Sequence, residues 1–333
     1  MGIRYADFID PQNIQKVIGS DYQNEAVTYN SGLVTKDTQF PIEGTHLTWI
    51  RETLFSSDTA GQTIGVGTNI NLKNQTQEEY QVAIVWRADG AEFDDIATAI
   101  MTKKVREGAE TNLTNAISEK AAQMLDDVVI SVIDGSNKWI ISDTNNYLNK
   151  NGSQINLVSL EETKSKRGEK GKKFQNGFIV MRGNMWHKTA ALGLVAQTSN
   201  TMGNMKQGQI VDGGQVGTIL GMNPFVTDKI ALESTGGVDH IVTMLEAGAV
   251  KGIFSPSPEI DPIVRGQRSF TDSIKFKLGI GAIVKGLSWS GSKVNPADND
   301  NTALATGTNY EQATAYIKNV PMACVRFDAP SFT

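Results

Sequence analysis

GAVKGIFSPSPEIDPIVRG (Gly248–Gly266), SIKFKLGIGAIVKGLSWSG (Ser273–Gly291) and VPMACVRFD (Val320–Asp328) follow one another at loop-length spacings in the last third of this 333-residue chain. In the second stretch Phe276, Leu278, Ile280, Ala282 and Val284 alternate with Lys275, Lys277, Gly279 and Gly281. That two-residue period predicts a strand with one apolar face. Gly248-Ala249 marks a turn, acidic and basic residues run from Glu259 to Arg268, and a further strand ends at Gly286-Leu287-Ser288-Trp289. Residues 310–318 look helical, and Val320–Phe327 reads as a short final strand.

Towards the N-terminus, Phe178–Met181 reads as a buried strand, with Asn184 as cap of a short helix over MWHKTAALGLVAQ, residues 185–197. Val238, Ile241, Val242 and Leu245 recur at helical spacing. Residues 136–177 are polar and end in KSKRGEKGKK (Lys164–Lys173), diluted by Glu161, Glu162 and Glu169. A solvated loop is one reading; a patch facing DNA, or a localisation signal, is the other.

Before that loop, apolar residues Ile96, Ile100, Val105, Leu113, Ile117, Met124, Val128 and Val132 fall at near-helical intervals. With Phe93-Asp94-Asp95 as an acidic N-cap and Gly135 as a stop, they predict one helix of about 40 residues, or two broken near Gly108. Such a helix spans on the order of 60 Å, more than a compact domain needs. Its spacing lacks the strict heptad of a coiled coil.

Earlier still, Ile64, Val66, Thr68, Ile70 and Leu72 share one side of a two-residue period, and Tyr80, Val82, Ile84 and Trp86 repeat it after the polar NQTQEE turn. A long hairpin is expected, and two strands alone are marginal in water, so its apolar face needs a partner surface. Residues 1–45 show no sustained period and read as an extended arm. Its Tyr22, Val27, Tyr29 and Phe40 must bury themselves on the body of the same subunit or on a neighbour.

Composition narrows the function classes. At 39% hydrophobic and 20% charged the chain is of the folded class, and its 32 glycines imply many tight turns. A net charge of −5 argues against a surface that grips nucleic acid throughout. The single cysteine, Cys324, lies in an apolar run and reads as a buried small hydrophobe. The start, MGIRYADFIDPQ, is not a secretory signal, Ala6 breaks a myristoylation motif, and no run of about 18 apolar residues would span a bilayer.

No G-x-S-x-G, H-E-x-x-H or Walker loop occurs. The glycines of GVGTNI and GIGAIV sit inside alternating strands, where packing or twist explains them. Only His46, His187 and His240 offer imidazole chemistry, and no cluster has metal-ligand spacing. The pairs Asp94-Asp95 and Asp126-Asp127 read as a cap and a solvated helix face. No catalytic, cofactor-binding or metal-binding residue is therefore assigned, and no enzyme activity is expected.

The order of these segments resembles that of tailed-bacteriophage major capsid proteins of the Hong Kong 97 type. The Gly248-Ala249 turn, the charged stretch to Arg268, the strand ending at Trp289 and the final strand carry the resemblance. GQVGTILGMNPFVTD (Gly214–Asp228) adds to it, resembling a segment in which a strand turns through Gly221 into a second strand ending at Asp228. The resemblance implies an α+β subunit: an arm (1–45), an extended hairpin loop (46–92) lying across the adjacent subunit, and a peripheral domain (93–180) with spine helix 95–135 and the polar insertion. An axial domain (181–272) surrounding each hexamer or pentamer axis would follow, and then return strands of the peripheral domain (273–333).

The function so implied is a self-assembling shell, icosahedral or prolate, enclosing the double-stranded DNA of a tailed phage. Its partners would be copies of itself, the portal, packaged DNA through non-specific contacts, and a decoration protein or a separate scaffolding protein where one exists. About 45 residues before the hairpin are too few for a fused scaffold. Assembly in the bacterial host cytoplasm, residence in the virion capsid and no membrane partner are expected. No covalent crosslink is expected, because Lys73 and the surrounding asparagines match no crosslinking motif. The alternatives are an encapsulin-type nanocompartment shell and a soluble α+β ligand-binding protein.

Overall fold

The computed structural model describes residues 26–37, 46–53, 76–94, 103–143, 145–194, 196–197, 217–230, 240–255, 259–265, 271–291, 301–314 and 317–328. In chain order these form β1 (Val34–Asp37), β2 (His46–Thr53), β3 (Thr76–Asp94), β4 (Tyr147–Lys150), β5 (Phe178–Met181), β6 (Ala196–Gln197), β7 (Gly217–Thr218) and β8 (Asn223–Val226). They continue with β9 (His240–Leu245), β10 (Val250–Phe254), β11 (Glu259–Arg265), β12 (Thr271–Val284), β13 (Leu287–Trp289), β14 (Tyr310–Gln312) and β15 (Met322–Phe327). Helices cover Val27–Asn30, Lys103–Asp143, Leu157–Ser165, Gly183–Ala191 and Asn301–Leu304.

Two sheets organise the chain. The larger has the order β1-β10-β12-β3-β2, with β11 on the outer part of β12. The smaller has the order β4-β15-β9-β5-β8. Between them the core runs from Leu125, Val128 and Ile133 of the long helix to Leu278 and Ile280 of β12 and to Cys324 of β15. A second cluster, including Leu160, Phe174, Met185, Trp186 and Phe327, closes the outer face of the smaller sheet.

The long helix is unbroken over 41 residues, passing Gly108 without interruption. Gly135 does not stop it. Helix turns continue to Asp143, since Gly135 does not adopt the left-handed conformation of a cap; it is buried against another part of the chain, where a β-carbon would overlap the Leu304 carbonyl oxygen and lie 2.5 Å from Tyr310 Cε2. Nor is Asp94 a cap: it is the last residue of β3, paired with Thr271. The other cap residue, Asp95, and the helical positions Ile96 and Ile100 lie outside the described residues.

β3 is 19 residues long, well beyond the expected 80–86. Its first part pairs with β2, Thr76 with Thr53 through Ala83 with His46, and its second part pairs with β12, Ile84 with Gly281 through Asp94 with Thr271. At about 3.4 Å per residue such a strand reaches some 60 Å. The hairpin thus joins β3 to residues 46–53; the alternating strand expected at 64–72 lies outside the described residues. In β12 the alternation is visible as exposed Lys275 and Lys277 beside buried Phe276 and Leu278, whereas Gly279–Val284 is buried throughout.

Four further expectations are corrected. The segment holding Val238 and Leu245 is not a helix over its described part: His240–Leu245 is a strand between β15 and β5, buried at all six positions. Burial on both faces removes the period by which a strand announces itself. The described part of 310–318 is not an α-helix: Tyr310–Gln312 form β14, paired with β13, and Ile317–Asn319 form a short 3-10 turn. Asn184 lies within the helix whose cap is Arg182. Residues 136–177 are not a loop: they hold the last turns of the long helix, β4, the helix Leu157–Ser165 and a 3-10 helix Gly168–Phe174.

Strand pairing also regroups the segments expected from the sequence. The boundary at 272 falls inside β12 and parts it from its neighbours β10 and β11. The final strand β15 joins β9 in the smaller sheet. Other expectations meet their strands directly: Phe178–Met181 is fully buried, and Gly221, at φ +77°, makes the tight turn between β7 and β8. That left-handed conformation favours glycine.

Candidate functional site

Described side chains that could do chemistry are dispersed. Cys324 is fully buried in β15, His240 is buried with its Nε2 3.4 Å from Asn184 Nδ2, and His187 is exposed on the helix Gly183–Ala191. The side chain of His46 lies outside the described residues. Among the described residues no group of three or more His, Cys, Asp or Glu could hold a metal, and no helix is long and apolar enough to cross a membrane. What the structure builds instead is a set of anchors that fix projecting elements to the body.

The first anchor holds residues 26–37. The single helical turn Val27–Asn30 has no side-chain cap of its own. Asp126, on the long helix, supplies it: Oδ1 accepts from the Thr28 amide at 2.9 Å and the Thr28 hydroxyl at 2.5 Å, and Oδ2 accepts from the Val27 amide at 3.1 Å. The orphan amides of a first turn are thereby satisfied from a residue 98 positions away. Burial pushes the Asp126 carboxyl above its ordinary range, while these hydrogen bonds and the Lys229 ammonium pull it back. Downstream, β1 runs parallel to β10, Val34 opposite Val250, and Leu33 is fully buried. This part of the expected arm therefore packs on its own subunit; Tyr29 meets Phe254 edge-on at 6.1 Å, while Val27 stays 41% exposed. Tyr22 and Phe40 lie outside the described residues.

Asp126 was expected as part of a solvated helix face and is instead half-buried; its neighbour Asp127 pairs with Lys229. Replacing Asp126 by Ala removes a charged acceptor of three hydrogen bonds, each such bond being worth about 1.5–3 kcal/mol. We expect amide exchange at Val27 and Thr28 to speed up by at least about tenfold, roughly 1.4 kcal/mol, with the β9 amides unchanged. Equal protection of Val27 and Thr28 in both proteins, measured by hydrogen-exchange mass spectrometry, would contradict the anchor.

The second anchor lies under the basic run. Arg167 is 2% exposed, ion-paired with Glu246 at the end of β9, donating from Nη2 and Nε to the Lys318 carbonyl at 3.0 and 3.3 Å and resting 4.9 Å from the Phe174 ring centroid. Burial lowers its pKa and Glu246 raises it back. One arginine thus ties the helix Leu157–Ser165, the 3-10 helix and the 317–319 turn to the smaller sheet. Only the charged face of this run was legible in the sequence; that one of its cations turns inwards was not.

A third junction joins the long helix to the returning chain. Lys138 Nζ donates to Asp134 and to the Ala305 carbonyl, and the buried Tyr310 hydroxyl donates to the Leu304 carbonyl at 2.6 Å. Burial and the nearby Asp134 hold the Tyr310 phenol protonated well above its usual range. Thr243 of β9 donates to Asn137 Oδ1 at 2.8 Å, so the smaller sheet is pinned to the same helix.

No protein-family profile and no curated protein sequence matches this chain. Solved structures do. The capsid of Ralstonia phage GP4 superposes with a TM-score of 0.55 at 10% identity, covering 92% of this chain and 90% of that one. The chain has the Hong Kong 97-type capsid fold. The capsid structure of the cyanophage P-SCSP1u (TM-score 0.50, 11% identity, 90% and 87% covered) and that of Microbacterium phage Oxtober96 (0.50, 9%, 89% and 90%) are similar over nearly the same span. At such identities a shared Hong Kong 97-type fold speaks for the backbone and not for individual side chains.

Proposed function

We propose that this chain is the major capsid protein of a tailed phage, a structural subunit that closes as hexamers and pentamers into an icosahedral or prolate shell around double-stranded DNA. The observation that carries the reading is a Hong Kong 97-type architecture matched over about nine tenths of the chain, with nine tenths of the phage capsid subunit matched in turn. In this reading the long helix and the larger sheet form the peripheral domain, and β2 with β3 carries the extended loop onto the next subunit. The smaller sheet, including β15, forms the axial domain around each capsomer axis. Copies of the chain are its main partner; the portal, a separate scaffolding or decoration protein and packaged DNA are the others. Assembly takes place in the host cytoplasm and the product resides in the virion.

Size-exclusion chromatography followed by negative-stain electron microscopy of the purified protein tests this. Closed particles, rings or sheets are expected, alone or on co-expression with a neighbouring phage-encoded scaffolding protein. A monodisperse monomer under every salt and protein concentration, with and without that scaffold, would sink the reading.

A further inference from the structure

We propose that the platform formed by the end of the helix Leu157–Ser165, the 3-10 helix Gly168–Phe174 and the 317–319 turn binds the phosphate backbone of duplex DNA, through Lys166, Lys172, Lys173 and Lys318. The proposal deepens the shell reading and rests on it for the source of the DNA.

The charge balance of the platform is set by which groups are already paired. Glu161 pairs with Lys164, Glu162 with Lys150 and Glu246 with Arg167. Lys170 is held by the Asn319 side chain. Lys166, Lys172, Lys173 and Lys318 are exposed and face no carboxylate partner among the described residues, and Glu169 is the exposed acid left beside them. The platform is thus cationic on a chain whose net charge is −5.

It is also rigid. Arg167 contacts all three elements at once, through the Lys164 and Lys318 carbonyls and the Phe174 ring, and Gly168 stands close to the Lys318 ammonium, which would lie 3.9 Å from a β-carbon there. Lysines on a fixed scaffold lose less freedom on binding than lysines on a loop. Seven residues of 3-10 helix at about 2.0 Å each span about 14 Å, over which one strand of B-DNA carries about four phosphates. An open groove of about 420 Å³ flanked by Lys164, Lys172, Ser165 and Gln175 adjoins the platform, with Glu161 on its wall already neutralised by Lys164.

The test is the salt dependence of binding to a fluorescent 20-base-pair duplex. It compares the wild-type chain, the platform triple Lys166→Gln/Lys172→Gln/Lys173→Gln, and a control triple Lys120→Gln/Lys229→Gln/Lys275→Gln that removes the same charge elsewhere. Each lysine on a phosphate contributes about one unit to the slope of log affinity against log salt. The platform triple should lose about two to three units and the control less than one. In the wild type, duplex DNA should also protect Lys166, Lys172 and Lys173 from acetylation read by mass spectrometry. Equal slopes in the two triples, no protection, or tighter binding of poly-glutamate than of DNA would overturn the proposal, the last assigning the platform to an acidic protein. Electron microscopy of the same proteins separates the two ideas: particle loss in the wild type counts against the shell, whereas slope and protection judge the platform whatever the assembly state.

Discussion

Gly135→Ala should destabilise the subunit by about 2–4 kcal/mol, although alanine is the better helix former. On propensity alone the change would stabilise a helix interior by about 1 kcal/mol. Against that, the added methyl would overlap the Leu304 carbonyl oxygen, lie 2.5 Å from Tyr310 Cε2 and 3.2 Å from the Leu304 carbonyl carbon. Backbone cannot swing aside as a flexible side chain can, and overpacking a filled core costs about 1–3 kcal/mol. Displacing this strip also breaks the Tyr310–Leu304 hydrogen bond and strands a buried hydroxyl, at about 1–3 kcal/mol more. The urea midpoint of the soluble subunit reads the sum. An alanine variant as stable as the wild type would mean that the long helix is not pressed onto residues 304–310.

Glu246→Ala should cost about 3 kcal/mol, the lower end of what removing one partner of a buried ion pair costs. It leaves the Arg167 guanidinium, 1% exposed in its side chain, without its counter-charge. The value sits low in the range because both bonds to the Lys318 carbonyl and the Phe174 face remain. Combining it with Arg167→Met removes the stranded charge, so the double variant should recover at least about half of the loss. A double variant less stable than Glu246→Ala alone would show that Arg167 works through its carbonyl bonds rather than through the pair. The same cycle bears on the cationic platform, since Arg167 sets where its lysines stand.

Much of the fold was legible wherever one face of an element meets solvent. Lys275 and Lys277 against Phe276 and Leu278 betray β12, and buried Ile117 beside exposed Glu119 and Lys120 betrays the long helix, because water on one side imposes a period. Legibility fails where burial is complete. His240–Leu245, buried at every position, imitates helical spacing, and Gly135 imitates a stop because only the packed chain reveals that it makes room for Leu304 and Tyr310. The candidate site was less legible still. Asp126 and Arg167 look like any charged surface residue until the partner arrives from 98 or 79 positions away.

Local residue pattern carries the α+β class, the great length of one helix, the strands flanking Lys275 and Cys324, and the order in which they come. Packing adds that β15 lies with β9, that β10 and β11 lie with β12, that residues 26–37 fasten to the long helix, and that the basic run folds over Arg167. The division has a physical reason. Periodicity and turn chemistry act between residues a few positions apart and are written along the chain. Strand pairing, caps supplied from afar and buried ion pairs depend on which distant segments exclude water together.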